Sequence, residues 1–120
     1  MVRTGIDLVE IERLSRLRPE IRQRFLERVF TPRELAEAGG SDASLAGRFA
    51  VKEAVSKALG TGIGKLGWQH IEVERGSQGE PVLHLYGEAQ AEAARLGLTE
   101  WSISISHTHT HAVAVAVGLG

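Results

Sequence analysis

The chain has no cysteine, three prolines, one methionine and six aromatic residues (three Phe, two Trp, one Tyr) in 120. Disulfides and thiolate metal sites are therefore excluded, while the redox compartment stays open. No window approaches the roughly 20 apolar residues of a membrane span. The first residues reach a carboxylate at Asp7 before any long apolar run, so no signal peptide is expected and a cytoplasmic, membrane-free setting is. A net charge of −1 lacks the basic excess of a nucleic-acid binder, and no nucleic-acid partner is expected. There is no internal repeat, low-complexity tract or linker; 42% hydrophobic residues suffice for a core, so residues 1–120 read as one domain. Lysine is scarce as well: Lys52, Lys57 and Lys65 are the only three, and arginine serves elsewhere. Lysine is a compact point charge that binds phosphate and can give up a proton, so its confinement to one segment marks that segment for chemistry.

That segment is Arg48–Gly64. Wound at about 100° per residue, it places Ala50, Val51, Ala54, Val55, Ala58 and Leu59 on one half of a helix. Arg48, Lys52, Glu53, Ser56 and Lys57 fall on the other half, and the run Gly60-Thr61-Gly62-Ile63-Gly64 stops the helix. Glu53 and Lys57 have the spacing of a surface ion pair. Arg48, Lys52 and Lys57 together call for an anion, and the amides of the loop that starts at Gly60 can approach one closely. The same glycines also serve as a helix C-cap. Cations, an amide-rich loop and a carboxylate together describe a phosphate site with a metal.

Taken in order, Met1–Ile6 reads as a strand, and Leu8, Ile11, Leu14 and Leu17 recur at helical spacings. Asp7 stands at the expected junction, either as a cap or as one of a pair of metal-binding carboxylates. Seven arginines lie between Arg13 and Arg33; they form either a solvated helix face or a surface for an acidic protein or phosphorylated ligand. Pro19 breaks or re-starts the helix. Thr31-Pro32-Arg33-Glu34 carries a capping box, and its helix ends at Gly39-Gly40. Ser41, Asp42 and Ser44 offer caps for the central helix. Trp68–Arg75 and Pro81–Tyr86 read as a hairpin turned by Gly76–Gly79. A helix follows Gly87, and Trp101–Ser106 alternates as a half-buried strand. Ala112–Val117 is apolar on both faces, hence central or covered by another subunit. The fold class is α+β, with helices mainly in the first half and an antiparallel sheet mainly in the second.

Carboxylates without thiolates favour a hard ion, and magnesium takes one or two of them with water and phosphate; Asp7 and Glu53 are the candidates. His107, His109 and His111 alternate as zinc or nickel ligands would on a strand, but they fall across a turn.

Gly5-Ile6-Asp7 with Arg13, Phe30-Thr31 with Glu34, Arg48-Phe49-Ala50-Val51-Lys52-Glu53-Ala54 with Lys57-Ala58-Leu59-Gly60-Thr61-Gly62, and Ser104-Ile105-Ser106-His107-Thr108 follow one another in this order. The series resembles that of the holo-acyl-carrier-protein synthases, the small bacterial type of 4′-phosphopantetheinyl transferase, over nearly the whole chain. The resemblance implies that family's fold and a Mg²⁺-dependent transfer from coenzyme A to a serine of apo acyl carrier protein. Holo carrier protein and adenosine 3′,5′-bisphosphate would be the products. It implies a homotrimer with active sites at subunit interfaces, and Asp7 and Glu53 as metal ligands. Glu53, Lys57 and Asp7 would be catalytic. Arg48, Lys57, His107 and Thr108 would bind the coenzyme, and the cationic face and loop add Lys52 and Gly60. Arg13, Arg24, Phe25 and Arg28 would meet the carrier protein. Val51 replaces an alanine, the loop Gly39–Ser44 is short, and His109 and His111 match no family role. Two other classes suit the bare residues. A silent carrier-binding scaffold would have little reason to hold Asp7, Glu53 and Lys57 together, and a magnesium-dependent nucleotide hydrolase would act without a carrier.

Overall fold

Alternating segments build one antiparallel sheet of order β1-β5-β4, from β1 (Val2–Glu10), β4 (Glu100–His107) and β5 (His111–Leu119). A computed structural model describes all of Met1–Gly120. The central strand β5 pairs with β1 from Val2↔Leu119 to Glu10↔His111, and with β4 from Glu100↔Leu119 to His107↔Ala112. Ala112, Ala114 and Ala116 are fully buried on one face, in register with Val9, Asp7 and Gly5. An 18-residue helix, α4 (Asp42–Leu59), packs on that face, and small residues on both sides let the backbones approach. At Gly5 a Cβ would stand 1.8 Å from the carbonyl oxygen of Ala54, so no other residue fits.

The opposite face is apolar and uncovered within one chain. Ile6, Leu8 and Val115 are 60%, 64% and 38% exposed, and Ile6 and Val115 are register partners. The apolar run Ala112–Val117 is thus central and two-sided, with its alanines turned to α4 and its valines to this outer face.

The amino-terminal segment departs from its helical spacing. Pairing with β5 carries β1 through Glu10, so Leu8 belongs to the strand and only one turn, α1 (Glu12–Ser15), is helical. Asp7 sits inside a strand and caps nothing. Pro19 opens α2 (Pro19–Val29). Thr31 caps α3 (Pro32–Ala38): its Oγ1 accepts the Glu34 N–H at 3.2 Å, and Glu34 Oε1 accepts the Thr31 N–H at 3.0 Å. Ser41 Oγ accepts the Ser44 N–H and starts α4.

Beyond α4 lie one further turn, α5 (Ile63–Leu66), and a 3₁₀ turn at Trp68–His70 where strand was expected. Tertiary contacts set that turn: Trp68 stacks on Phe49 at 5.1 Å, and its carbonyl accepts a hydrogen bond from Lys52. The hairpin β2 (Ile71–Arg75) and β3 (Pro81–Leu85) forms a second, two-stranded sheet. It is followed by α6 (Gly87–Arg95). The architecture is α+β, and no helix is long and apolar enough to cross a membrane.

Candidate active site

The site residues are distributed around α4, and the turn of the helix decides which of them meet. Arg48 and Lys57 are nine residues apart, about two and a half turns and 13 Å of rise, so they leave α4 on opposite sides. The polar half of the wheel is therefore not one site.

On the β1 side, Lys57 Nζ donates to Asp7 Oδ1 at 3.1 Å and to the Ile6 carbonyl at 2.9 Å. Lys57 thus reaches across to the strand instead of forming the i,i+4 pair with Glu53. The Glu53 carboxylate is partly buried beside them. Burial raises its pKa above the ordinary value of 4.5, the Asp7 charge adds to the rise, and Lys57 opposes it. Two carboxylates that repel each other in a half-buried setting gain from a shared cation. Their oxygens are the hard donors that Mg²⁺ takes, with its other positions left to water and phosphate, so Asp7 and Glu53 fit that ion. A depression lined by Lys57, Gly5, Ile6 and Val115 joins this corner to the apolar outer face of the sheet.

On the other side, Arg48 and His107 line one cleft of about 370 Å³ with Ser44, Gly47 and the hairpin residues Val73 and Arg75. Arg48 is 5% exposed; its Nη1 donates to Glu37 Oε1 at 2.9 Å and to the Val73 carbonyl. His107 ends β4, and Thr108 lies in the turn behind it, where its Oγ1 accepts the N–H groups of Thr110 and His111. His109 and His111 line a separate depression with Glu10 and Glu12. No three His, Asp or Glu side chains stand close enough to hold a metal, so the alternating histidines form no zinc or nickel site.

Two expected coenzyme contacts are corrected. Lys52 is fully buried, and its Nζ donates to Glu34 Oε1 at 2.8 Å, to the Trp68 carbonyl at 3.0 Å and to the Ile71 carbonyl. Every proton is used inside the protein and none faces a ligand. Burial lowers the Lys52 pKa, and the charge of Glu34 opposes the shift. Lys52 lies only about 40° around the wheel from Arg48, but α3 and β2 cover that sector, which a helical wheel cannot show. Gly60 is left-handed (φ 74°), and its N–H and that of Thr61 are taken by the last carbonyls of α4. It terminates the helix and does not offer a free amide.

The basic segment sorts its arginines. Arg16, Arg18, Arg22 and Arg33 pair with Glu12, Glu20, Asp42 and the Glu72–Glu74 pair respectively. Arg13, Arg24 and Arg28 form no ion pair and are exposed. Phe25 is half-buried against Phe30 and Phe49, and with Arg13, Val9, Leu14 and Leu17 it lines an apolar depression of about 130 Å³. Arg13 lines this depression, and Arg24 and Arg28 lie on α2 one and three residues from Phe25. Sequence reasoning missed Glu34, Glu37 and Glu72, the carboxylates that answer Lys52, Arg48 and Arg33. Glu34 was visible as half of a capping box and as one residue of the motif series, with no partner for Lys52 implied.

Residues 3–116 match the family model described as the 4′-phosphopantetheinyl transferase superfamily. The chain is 43% identical over 110 residues to the holo-[acyl-carrier-protein] synthase of Herpetosiphon aurantiacus, covering 86% of this chain and 87% of that protein. It is 47% identical over 108 residues to the one of Moorella thermoacetica, covering 86% and 82%. Its fold superposes on the crystal structure of Helicobacter pylori holo-[acyl-carrier-protein] synthase in complex with coenzyme A, with a TM-score of 0.87, 33% identity, and 97% and 99% of the two chains covered. The enzyme of Neisseria meningitidis is similar with a TM-score of 0.89, 32% identity and full coverage of both chains.

Proposed function

The chain belongs to the 4′-phosphopantetheinyl transferase superfamily, among the holo-[acyl-carrier-protein] synthases, and from that premise we propose that it moves 4′-phosphopantetheine from coenzyme A to a serine of apo acyl carrier protein with Mg²⁺. The products are holo carrier protein and adenosine 3′,5′-bisphosphate. The observation that carries the reading is the corner where Asp7, Glu53 and Lys57 meet. In that corner Asp7 and Glu53 would hold the ion, which would supply charge neutralisation and Lewis-acid polarisation of the diphosphate. Glu53 is the candidate to accept the proton of the attacking serine, directly or through a water. The new bond joins the serine oxygen to the β-phosphorus, and the bond to the departing bisphosphate breaks. Lys57, 53% exposed in its side chain and held on Asp7, offers a positive charge to that leaving group. Arg48 and His107 line the cleft proposed for the nucleotide end of the coenzyme, and Thr108 lines a second depression that shares His107 with it. Arg13, Arg24 and Arg28, free of ion pairs, receive the acidic carrier, with Phe25 at the apolar depression beside Arg13.

The nucleotide cleft and the metal corner lie on opposite sides of α4, which supports an assembly in which one copy supplies each half. The apolar outer face, contiguous with the Lys57 depression, suits that contact, and we propose a homotrimer with active sites between subunits. Purified protein, coenzyme A and Mg²⁺ are expected to add one phosphopantetheine to an apo acyl carrier protein, read by mass spectrometry. Several apo carriers left unmodified at saturating coenzyme would overturn the reading.

A further inference from the structure

The strand β2 has β3 as its only strand neighbour, so its other edge has backbone groups without a ladder. That edge is buried at Ile71 and Val73, where unpaired N–H and C=O groups are costly. Side chains take the place of the missing strand. Along the edge, the Ile71 carbonyl accepts from Lys52 Nζ, and the Val73 N–H donates to Glu34 Oε2 at 2.9 Å. The Val73 carbonyl accepts from Arg48 Nη1 at 2.5 Å, and the Arg75 N–H donates to Glu37 Oε1 at 2.9 Å. The cations come from α4 and the carboxylates from α3, and they are paired with each other: Lys52 with Glu34 at 2.8 Å and Arg48 with Glu37 at 2.9 Å. Donor and acceptor alternate down the edge as they would along a neighbouring strand.

The consequence is positional. Val73, Glu74, Arg75, Gly79, Glu80 and Pro81 of the hairpin form one wall of the Arg48–His107 cleft, and α4 forms the other. This row of four side chains joins the hairpin to α3 and α4. We infer that the Lys52–Glu34 and Glu37–Arg48 pairs act as a surrogate strand that fixes the hairpin wall of the nucleotide cleft, which makes Glu37 and Lys52 positioning residues for coenzyme binding. This rests on the reading of that cleft as the coenzyme site. Glu37 is the useful probe, because it is 23% exposed in its side chain and its carboxylate bonds to the Arg75 N–H and to Arg48.

Glu37→Ala removes the acceptor from the Arg75 N–H; Glu37→Gln keeps an oxygen there and removes the charge. For Glu37→Ala, KM for coenzyme A is expected to rise about fivefold or more with kcat within twofold. Amide hydrogen exchange at Arg75 should quicken about tenfold. Glu37→Gln should restore most of both. An Ala variant with wild-type KM, or a Gln variant as impaired as Ala, would overturn the inference. If wild-type protein transfers nothing to any carrier, the functional reading falls first. The exchange rates at Val73 and Arg75 then still decide whether the surrogate strand exists.

Discussion

A lysine whose three protons are all spent inside the protein behaves differently from one that meets a ligand. Lys52 balances Glu34 and two backbone carbonyls in a site without solvent. Truncating it leaves a buried carboxylate without its counter-charge. Lys52→Met is expected to lower unfolding stability by about 3–5 kcal/mol in urea denaturation; a loss under 1 kcal/mol would show that the pair is dispensable. Glu72 makes a second residue-scale prediction. Burial raises its pKa, but hydrogen bonds from Thr31 Oγ1 and Tyr86 Oη and the charge of Arg33 more than offset that, and the net shift is downward from 4.5. A depressed carboxyl pKa contributes stability that is present above 4.5 and is lost as pH falls through the lower folded value. Glu72→Gln should therefore show a flatter loss of stability below pH 4.5 than wild type; equal acid limbs would refute this.

At the scale of elements, much of the chain could be read from local chemistry. The capping box at Thr31, the glycine stops at Gly39 and Gly60, the alternation of β4 and the apolar run of β5 all appear where their residues place them, and of the two readings at Pro19 the helix start holds. Local pattern failed where a tertiary partner outranked it. Leu8 fits a helical spacing with Ile11 and Leu14, yet β5 extends far enough to pair with β1 through Glu10. Trp68–His70 alternates like a strand but is drawn into a 3₁₀ turn by Phe49 and Lys52. The candidate site was legible in its residue types and not in its geometry. A helical wheel groups Arg48, Lys52 and Lys57 in one polar half although Arg48 and Lys57 stand at its two ends, and it carries no information on which elements cover each sector. The approach of α4 to β1 gives the element-scale prediction. Gly5→Ala would drive a methyl into the Ala54 carbonyl at 1.8 Å, and something must shift. The variant is expected to be destabilised by about 1–3 kcal/mol or more and to lose transfer activity together with the Asp7 geometry. A stable, fully active Gly5→Ala protein would contradict this packing.

At the scale of the molecule, the proposed assembly makes one chain an incomplete enzyme. The proposed metal corner and the proposed nucleotide cleft sit on opposite sides of α4, and the outer sheet face leaves Ile6 and Leu8 in water. Charge placed on that face should separate the copies. Leu8→Lys is expected to give a folded monomer by light scattering with transfer reduced at least tenfold, and an active monomer would argue against shared sites. Combining two damaged proteins tests the same idea from the opposite direction. Glu53→Gln removes a carboxylate from the metal corner, and His107→Ala removes a side chain from the cleft, so each alone should transfer phosphopantetheine poorly. In a trimer co-assembled from equal amounts, roughly one site in four joins an intact corner from one variant to an intact cleft from the other. Co-expressed Glu53→Gln and His107→Ala proteins are predicted to regain about a quarter of the wild-type rate of carrier modification, whereas activity no greater than the average of the two separate variants would contradict a site built between subunits.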